Sequence, residues 1–276
     1  MVYTDKFKLL RRTKKVERDS EMKMKHINRL VFLVLCLAIL PMCFFAANAE
    51  TDGVLYTDVP ENEWYTEAVY AVTESGLMNG FGNGEFRPEE HLSRAMTASL
   101  IWRLAGSPAV DIETIDETID ENDRFIDIMY PFQAEYRGIP LAWYFEAVAW
   151  CRNENIMVGY SRPPHYLPNG DIFDEYNPNE FRPDAAITRE ELAAVIYRFV
   201  DDRLEHYQGL TLFPDHDEVS DWAHDALAWC TVRRIIMGTG ENGEIYLNPK
   251  GEVTRAEAAM IFMRLSRWME QQQKPE

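Results

Sequence analysis

The 276-residue chain carries 46 Asp and Glu against 28 Lys and Arg, a net charge of −18. Residues 1–49 hold ten of the basic residues and four acidic ones, which leaves the remainder at −24. Nucleic acid is excluded as a partner, because phosphate binding needs a basic face that this chain does not offer.

Residues 1–49 read as an export signal. The basic segment ending "KMKHINR" is followed by the apolar run "LVFLVLCLAILPMCFF" and then by Ala47-Asn48-Ala49, a small-x-small pattern with cutting expected after Ala49. Met22 or Met24 as the start would give a basic region of more ordinary length. An uncleaved membrane anchor is the rival reading, opposed by the shortness of the run and by Pro41.

The rest of the chain repeats itself three times. Each copy opens with aromatic-x-Asp (Tyr56 and Asp58, Phe125 and Asp127, Phe213 and Asp215), followed by a tryptophan (Trp64, Trp143, Trp222). An ungapped block comes next: "EAVYAVTESGLMNG", "EAVAWCRNENIMVG" and "DALAWCTVRRIIMG". Its apolar positions have helical spacing, and the spacing predicts a helix stopped by Gly80, Gly159 and Gly238. A turn-rich loop follows, clearest as "GFGNGEFRP", and then a second helix, "EHLSRAMTASLIWRLA", "AAITREELAAVIYRFV" or "GEVTRAEAAMIFMRLS". In the third copy Ala258, Ile261, Phe262 and Leu265 form one stripe at i, i+3, i+4 and i+7. One helix–loop–helix unit is too small to bury that stripe alone, whereas three can share a core.

The predicted boundaries are 1–49 for the signal, 50–110, 125–204 and 205–268 for the three copies, 111–124 for an acidic linker and 269–276 for a tail. The second copy carries insertions, "IMYPFQAEYRGIPLA" and "YSRPPHYLPNGDIFDEYNPNE". Cys151 and Cys230 occupy one slot of the repeat, filled by Val72 in the first copy. Export permits a disulfide between them, but a buried small hydrophobe is the preferred reading.

These landmarks resemble the S-layer homology domain: the aromatic-x-Asp opening, the tryptophan, the glycine loop "GFGNGEFRP", and "ITREE" and "VTRAE" starting the second helix. The resemblance covers nearly all of 55–268. The chain departs from it at Met96, which stands where glutamate is expected, at the insertion that replaces the second loop, and at "GTGENGEIYLNP", with Leu247 in a phenylalanine slot. The resemblance implies an all-α fold with pseudo-threefold symmetry around a central helical bundle. It also implies a secreted protein held non-covalently to the secondary polysaccharide of a bacterial cell wall or S-layer, a glycan that often carries an acidic pyruvate ketal.

Thr188 with Glu191 and Thr254 with Glu257 form capping boxes, whereas Ser93 has only Met96 three residues on. Arg94, Arg189 and Arg255 fall at the first helical position, where a cation opposes the helix dipole. Exposed helix N–H groups beside such an arginine would make an anion site for a sugar carboxylate. The alternative is an arginine packed across a groove onto local partners. Arg103, Arg198 and Arg264 lie nine residues further on and so face away from the first set. Trp64, Trp143 and Trp222 suit either stacking on sugars or core packing. Asp58, Asp127 and Asp215 suit either sugar hydroxyls or turns. Gly82, Gly84 and Gly240 would let backbone approach a ligand closely.

Two other classes of function are weighed against the carbohydrate anchor. An envelope adaptor would bind a partner protein through the second-copy insertions. A wall hydrolase is less favoured. No H-E-x-x-H or G-x-S-x-G occurs, although a carboxylate pair of the glycosidase kind is compatible with the sequence. Neither a cofactor nor a metal is expected, nor any membrane contact after signal cleavage.

Overall fold

The computed structural model divides the chain into two units, Met1–Val54 and Leu55–Glu276. It describes residues 56–110, 125, 127–128, 140–161, 165–166, 172–174, 179–201, 209–241 and 244–272. The expected export signal, the acidic linker and most of both insertions lie outside the described residues.

Within the second unit the regular structure of the described residues is mostly helical, two α-helices to each copy. They are α1 (Thr66–Glu74) and α2 (Arg94–Leu104), α3 (Phe145–Asn153) and α4 (Arg189–Val200), and α5 (His224–Val232) and α6 (Arg255–Gln272). Three short antiparallel pairs decorate the loops: β1 (Tyr160–Ser161) with β4 (Asn179–Glu180), β2 (His165–Tyr166) with β3 (Ile172–Asp174), and β5 (Thr239–Glu241) with β6 (Glu244–Tyr246).

The apolar stripes fall inside, as their spacing predicts. Ala68, Val69 and Val72, their counterparts Ala147, Val148 and Cys151, and Leu192, Val195, Ile196, Ala258, Ile261, Phe262 and Leu265 are all buried. The helices of one copy, however, do not pair chiefly with each other. α2 packs on α3, α4 on α5, and α6 returns to α1. Each copy therefore lends its second helix to the next copy's first helix, and the ring closes.

The centre of the ring is a triangle of backbone hydrogen bonds just before the second helices. The Leu92 N–H donates to Val253 O (2.7 Å), Val253 N–H to Ile187 O (2.9 Å) and Ile187 N–H to Leu92 O (3.0 Å). All three side chains are fully buried, each worth about 1.5–3 kcal/mol of transfer free energy. One seam has an added clamp. Glu190, itself buried, accepts from Ser220 N–H and Oγ and pairs with Lys250 Nζ at 2.6 Å.

The first helices stop earlier than the glycines suggest. They end at Glu74, Asn153 and Val232, and the left-handed residues that close them are Gly76, Asn155 and Arg234. The Ile156 and Ile235 N–H groups reach back to Cys151 O and Cys230 O, as in a Schellman cap. Gly80 has another task. A Cβ there would lie 2.3 Å from the Tyr56 ring and 2.7 Å from Glu85 O, so the glycine permits a close approach of loop to loop.

Cys151 and Cys230 are free and fully buried. Their thiols point at Ala98 O and Ala193 O across two different seams. Burial pushes both thiols far above the usual cysteine range. Native protein should therefore resist thiol reagents at pH 8. A chain starting at Glu50, unfolded without reductant, should titrate two thiols; finding none would establish a disulfide instead.

Candidate functional site

The second helix of each copy begins with its backbone donors already taken. Ser93 and Thr188 accept from the N–H groups of Met96 and Glu191, and Glu257 N–H donates to Thr254 Oγ1. The two N–H groups before them are held by carbonyls of a neighbouring loop: Arg94 by Ala185 and Ala95 by Pro183, Arg189 by Gly251 and Glu190 by Pro249, Arg255 by Glu90 and Ala256 by Pro88, all at 2.8–3.0 Å. Free helix N–H groups, expected as half of an anion site, are thus spent on joining the copies.

The arginines are buried, and each crosses a seam. Arg94 donates from Nε to Phe181 O (2.7 Å), from Nη2 to Val158 O (3.2 Å) and from Nη1 to the Tyr160 hydroxyl (3.1 Å). The Tyr160 hydroxyl in turn donates to Glu191 in a short bond. Arg189 donates to Leu247 O (2.8 Å) and Met237 O (2.6 Å), and its Nη1 meets Glu257 Oε1 at 3.0 Å. Arg255 repeats the two carbonyl bonds, to Phe86 O (2.9 Å) and Asn79 O (3.0 Å). Its Nη1, however, faces Met96 Sδ at 3.9 Å, a weak acceptor.

Burial makes all three guanidinium groups easier to deprotonate than usual, and neighbouring groups oppose this. Tyr160 and Glu191 act on Arg94, Glu257 on Arg189 and Glu90 on Arg255. Each arginine remains charged at physiological pH. Burial, and after it the bond to Glu191, pushes the Tyr160 phenol up to about 12, so it stays protonated.

A pocket of about 180 Å³ opens beside Arg255 at the seam of the third and first copies. Asn79, Gly80 and Phe81 line it, with Met96 and Ser99 of α2, Arg103, and Trp143 from the second copy. Arg103 does face away from Arg94, as helical spacing requires. Its Nη1 donates to Leu77 O (3.0 Å), and it shares the pocket lining with the arginine of another copy. Arg264 likewise feels the charge of Arg189, after the larger effect of its own burial.

Trp64, Trp143 and Trp222 are more than half exposed. Trp64 and Trp143 stand edge-on to Tyr65 and Tyr144. Core packing, one of the two readings of these tryptophans, is set aside. The aspartates are clamps across long loops rather than local turns. Asp58 accepts from Phe86 and Arg87 N–H, Asp127 from Phe181 and Arg182, and Asp215 from Leu247 and Asn248, at 2.5–2.9 Å. The second residue of each pair has a left-handed backbone (φ 57°, 57° and 49°). Gly82 and Gly84 have open space around them, Gly84 at φ +82°, and Gly240 lies in β5 near Glu244 O. The pocket lining includes none of these three glycines. Asn79 and Ser99 are pocket residues that the sequence does not single out, and Arg103, which the sequence sets on the opposite helix face, lines the pocket too. Repeat alignment marks Asn79 as the one polar residue of the set Asn79, Val158 and Met237.

A serine nucleophile is present in outline only. Ser220 Oγ accepts from Lys250 Nζ at 2.5 Å and donates to the buried Glu190 carboxylate, so the lysine sits as a donor to the hydroxyl and not as a base that takes its proton. Among the described residues no group of three or more His, Cys, Asp or Glu is placed to hold a metal ion.

The comparisons agree with this architecture. The S-layer homology domain model matches residues 55–96, 168–193 and 212–259. The chain is 28% identical over 233 residues to the Surface-layer 125 kDa protein of Lysinibacillus sphaericus, covering 80% of this chain and 17% of that one. It is 24% identical over 211 residues to the S-layer protein sap of Bacillus anthracis, covering 76% and 21%. With the Cellulosome-anchoring protein of Acetivibrio thermocellus it shares 23% over 189 residues, covering 68% and 35%. The chain thus spans about a third or less of the length of these curated relatives. The three segments that the S-layer homology domain model matches fall on three copies of one helix pair in a closed ring.

Proposed function

We propose that this chain is a cell-surface anchoring module that binds an acidic secondary wall polysaccharide, and that the ligand group it grips is a pyruvate ketal. The observation that carries this reading is the pocket at Arg255. It combines a buried arginine with an undersupplied donor, a second arginine (Arg103), an amide (Asn79) and an exposed indole (Trp143). A planar guanidinium recognises a carboxylate through paired hydrogen bonds. An open indole face offers a sugar ring a large contact area. The relatives named for surface layers and for anchoring favour the same role. The proposed role is binding, with residues 50–276 located at the bacterial surface after export.

Sedimentation of the purified 50–276 chain with bacterial cell walls tests this. Binding should survive washing at 0.15 M salt and should disappear when wall polysaccharide is stripped chemically from the peptidoglycan. Equal binding to stripped walls would overturn it.

A further inference from the structure

We infer that the three seams are not equivalent sites and that the molecule takes one anionic sugar, at Arg255, because the other two seams already contain their own carboxylate. The inference rests on the polysaccharide reading above and adds its valency and its selector residue.

The ring exchange lets the seams be compared position by position. At each, an arginine enters from the preceding copy and meets the third residue of the receiving helix. Those residues are Glu257 opposite Arg189, Glu191 behind Tyr160 opposite Arg94, and Met96 opposite Arg255. In two seams the inward Nη1 group is therefore satisfied by a protein carboxylate, directly or through the Tyr160 hydroxyl. In the third it meets a thioether at 3.9 Å although Arg255 is only 5% exposed. A buried charged donor without a strong acceptor is costly, and a ligand carboxylate would supply the acceptor.

Two further differences agree. The residue whose carbonyl receives Nη2 is Asn79 at the open seam but the exposed apolar Val158 and Met237 at the others. Ser99, which lines the Arg255 pocket, aligns with Ala194 and Met260. The carboxylates whose charge acts on Arg255 are Glu90 and Asp58. Glu90 Oε2 lies 3.6 Å from Arg87, and both Asp58 oxygens are held by backbone N–H groups. Neither forms an ion pair with Arg255 among the described residues.

Met96 is thus the switch. Met96→Glu should place a carboxylate on Arg255 Nη1 and, with Ser93, complete a capping box. It should close the pocket to anions while leaving the fold as stable or more so. Glu257→Met together with Met237→Asn should convert the Arg189 seam to the open type.

Calorimetric titration of the 50–276 chain with a hexosamine bearing a cyclic pyruvate ketal, and with its methyl ester, reads this directly. The expected result is one site per chain for the acid, with the ester and Met96→Glu each at least about tenfold weaker, and two sites in the Glu257→Met/Met237→Asn variant. Thermal unfolding serves as the folding control. Two or three sites in the unaltered chain, or full affinity in a folded Met96→Glu chain, would overturn the inference while leaving polysaccharide binding intact. Failure of the unaltered chain to bind both the ketal and whole walls would overturn the polysaccharide reading as well.

Discussion

Arg189→Ala is expected to destabilise the protein by about 3–5 kcal/mol, the range for removing one partner of a buried ion pair. It would strip Glu257 of its ion-pair partner at 3.0 Å, leaving its carboxylate only the bonds from Thr254, and leave the carbonyls of Leu247 and Met237 without donors. Arg255→Ala removes two comparable carbonyl bonds but orphans no carboxylate. Its cost should be smaller, about 1.5–3 kcal/mol, while its loss of wall binding should be the largest of the three arginines. One residue type at one repeat position would then separate by role, with Arg189 mainly holding the ring and Arg255 mainly holding ligand. Urea unfolding followed by circular dichroism, paired with wall sedimentation, measures both axes. Equal destabilisation by the two substitutions would remove Glu257 as the distinguishing partner.

Asp215→Asn should cost nearly as much as Asp215→Ala, about 2–4 kcal/mol, even though asparagine has the same shape. Both carboxylate oxygens accept backbone N–H groups, from Leu247 at 2.9 Å and Asn248 at 2.7 Å. An amide can accept only one of these bonds and sets a second donor against the other N–H. Leu247 is fully buried, so its N–H finds no water, and a hydrogen bond to a charged acceptor is worth about 1.5–3 kcal/mol. The same argument covers Asp58 and Asp127. Asp215→Asn unfolding at the urea midpoint of the unaltered chain would show that the clamp contributes little.

The helix faces, the capping boxes of the second and third copies and the buried cysteine slot could all be read from spacing, because each depends on neighbours within about four residues. The partners of the arginines could not. Nine residues correctly set Arg103 opposite Arg94, but the period of one helix says nothing about which copy packs against either face. Once α2 lies on α3 rather than α1, Arg103 lines one pocket with Arg255 and Trp143, and Met96 becomes a groove residue as well as an incomplete cap. Gly80 misled for a related reason. Glycine after an apolar helix reads as a stop, whereas Gly76, Asn155 and Arg234 take the left-handed position and Gly80 yields to the Tyr56 ring. The aspartate clamps span 28 to 55 residues, beyond any local pattern.

The hydrogen-bonded triangle of Leu92, Ile187 and Val253 has a mechanical consequence. In an open stack of repeats, tension applied at the two ends runs through every interface in series, and the weakest yields first. Here the first and third copies grip each other directly, through Val253 O, through Arg255 and through α6 on α1. Tension entering near Tyr56 and leaving near Gln272 would meet that seam first, with many bonds loaded in parallel. A load pulling on either end should therefore be resisted until the ring opens in a single cooperative event, giving one rupture peak under force rather than three.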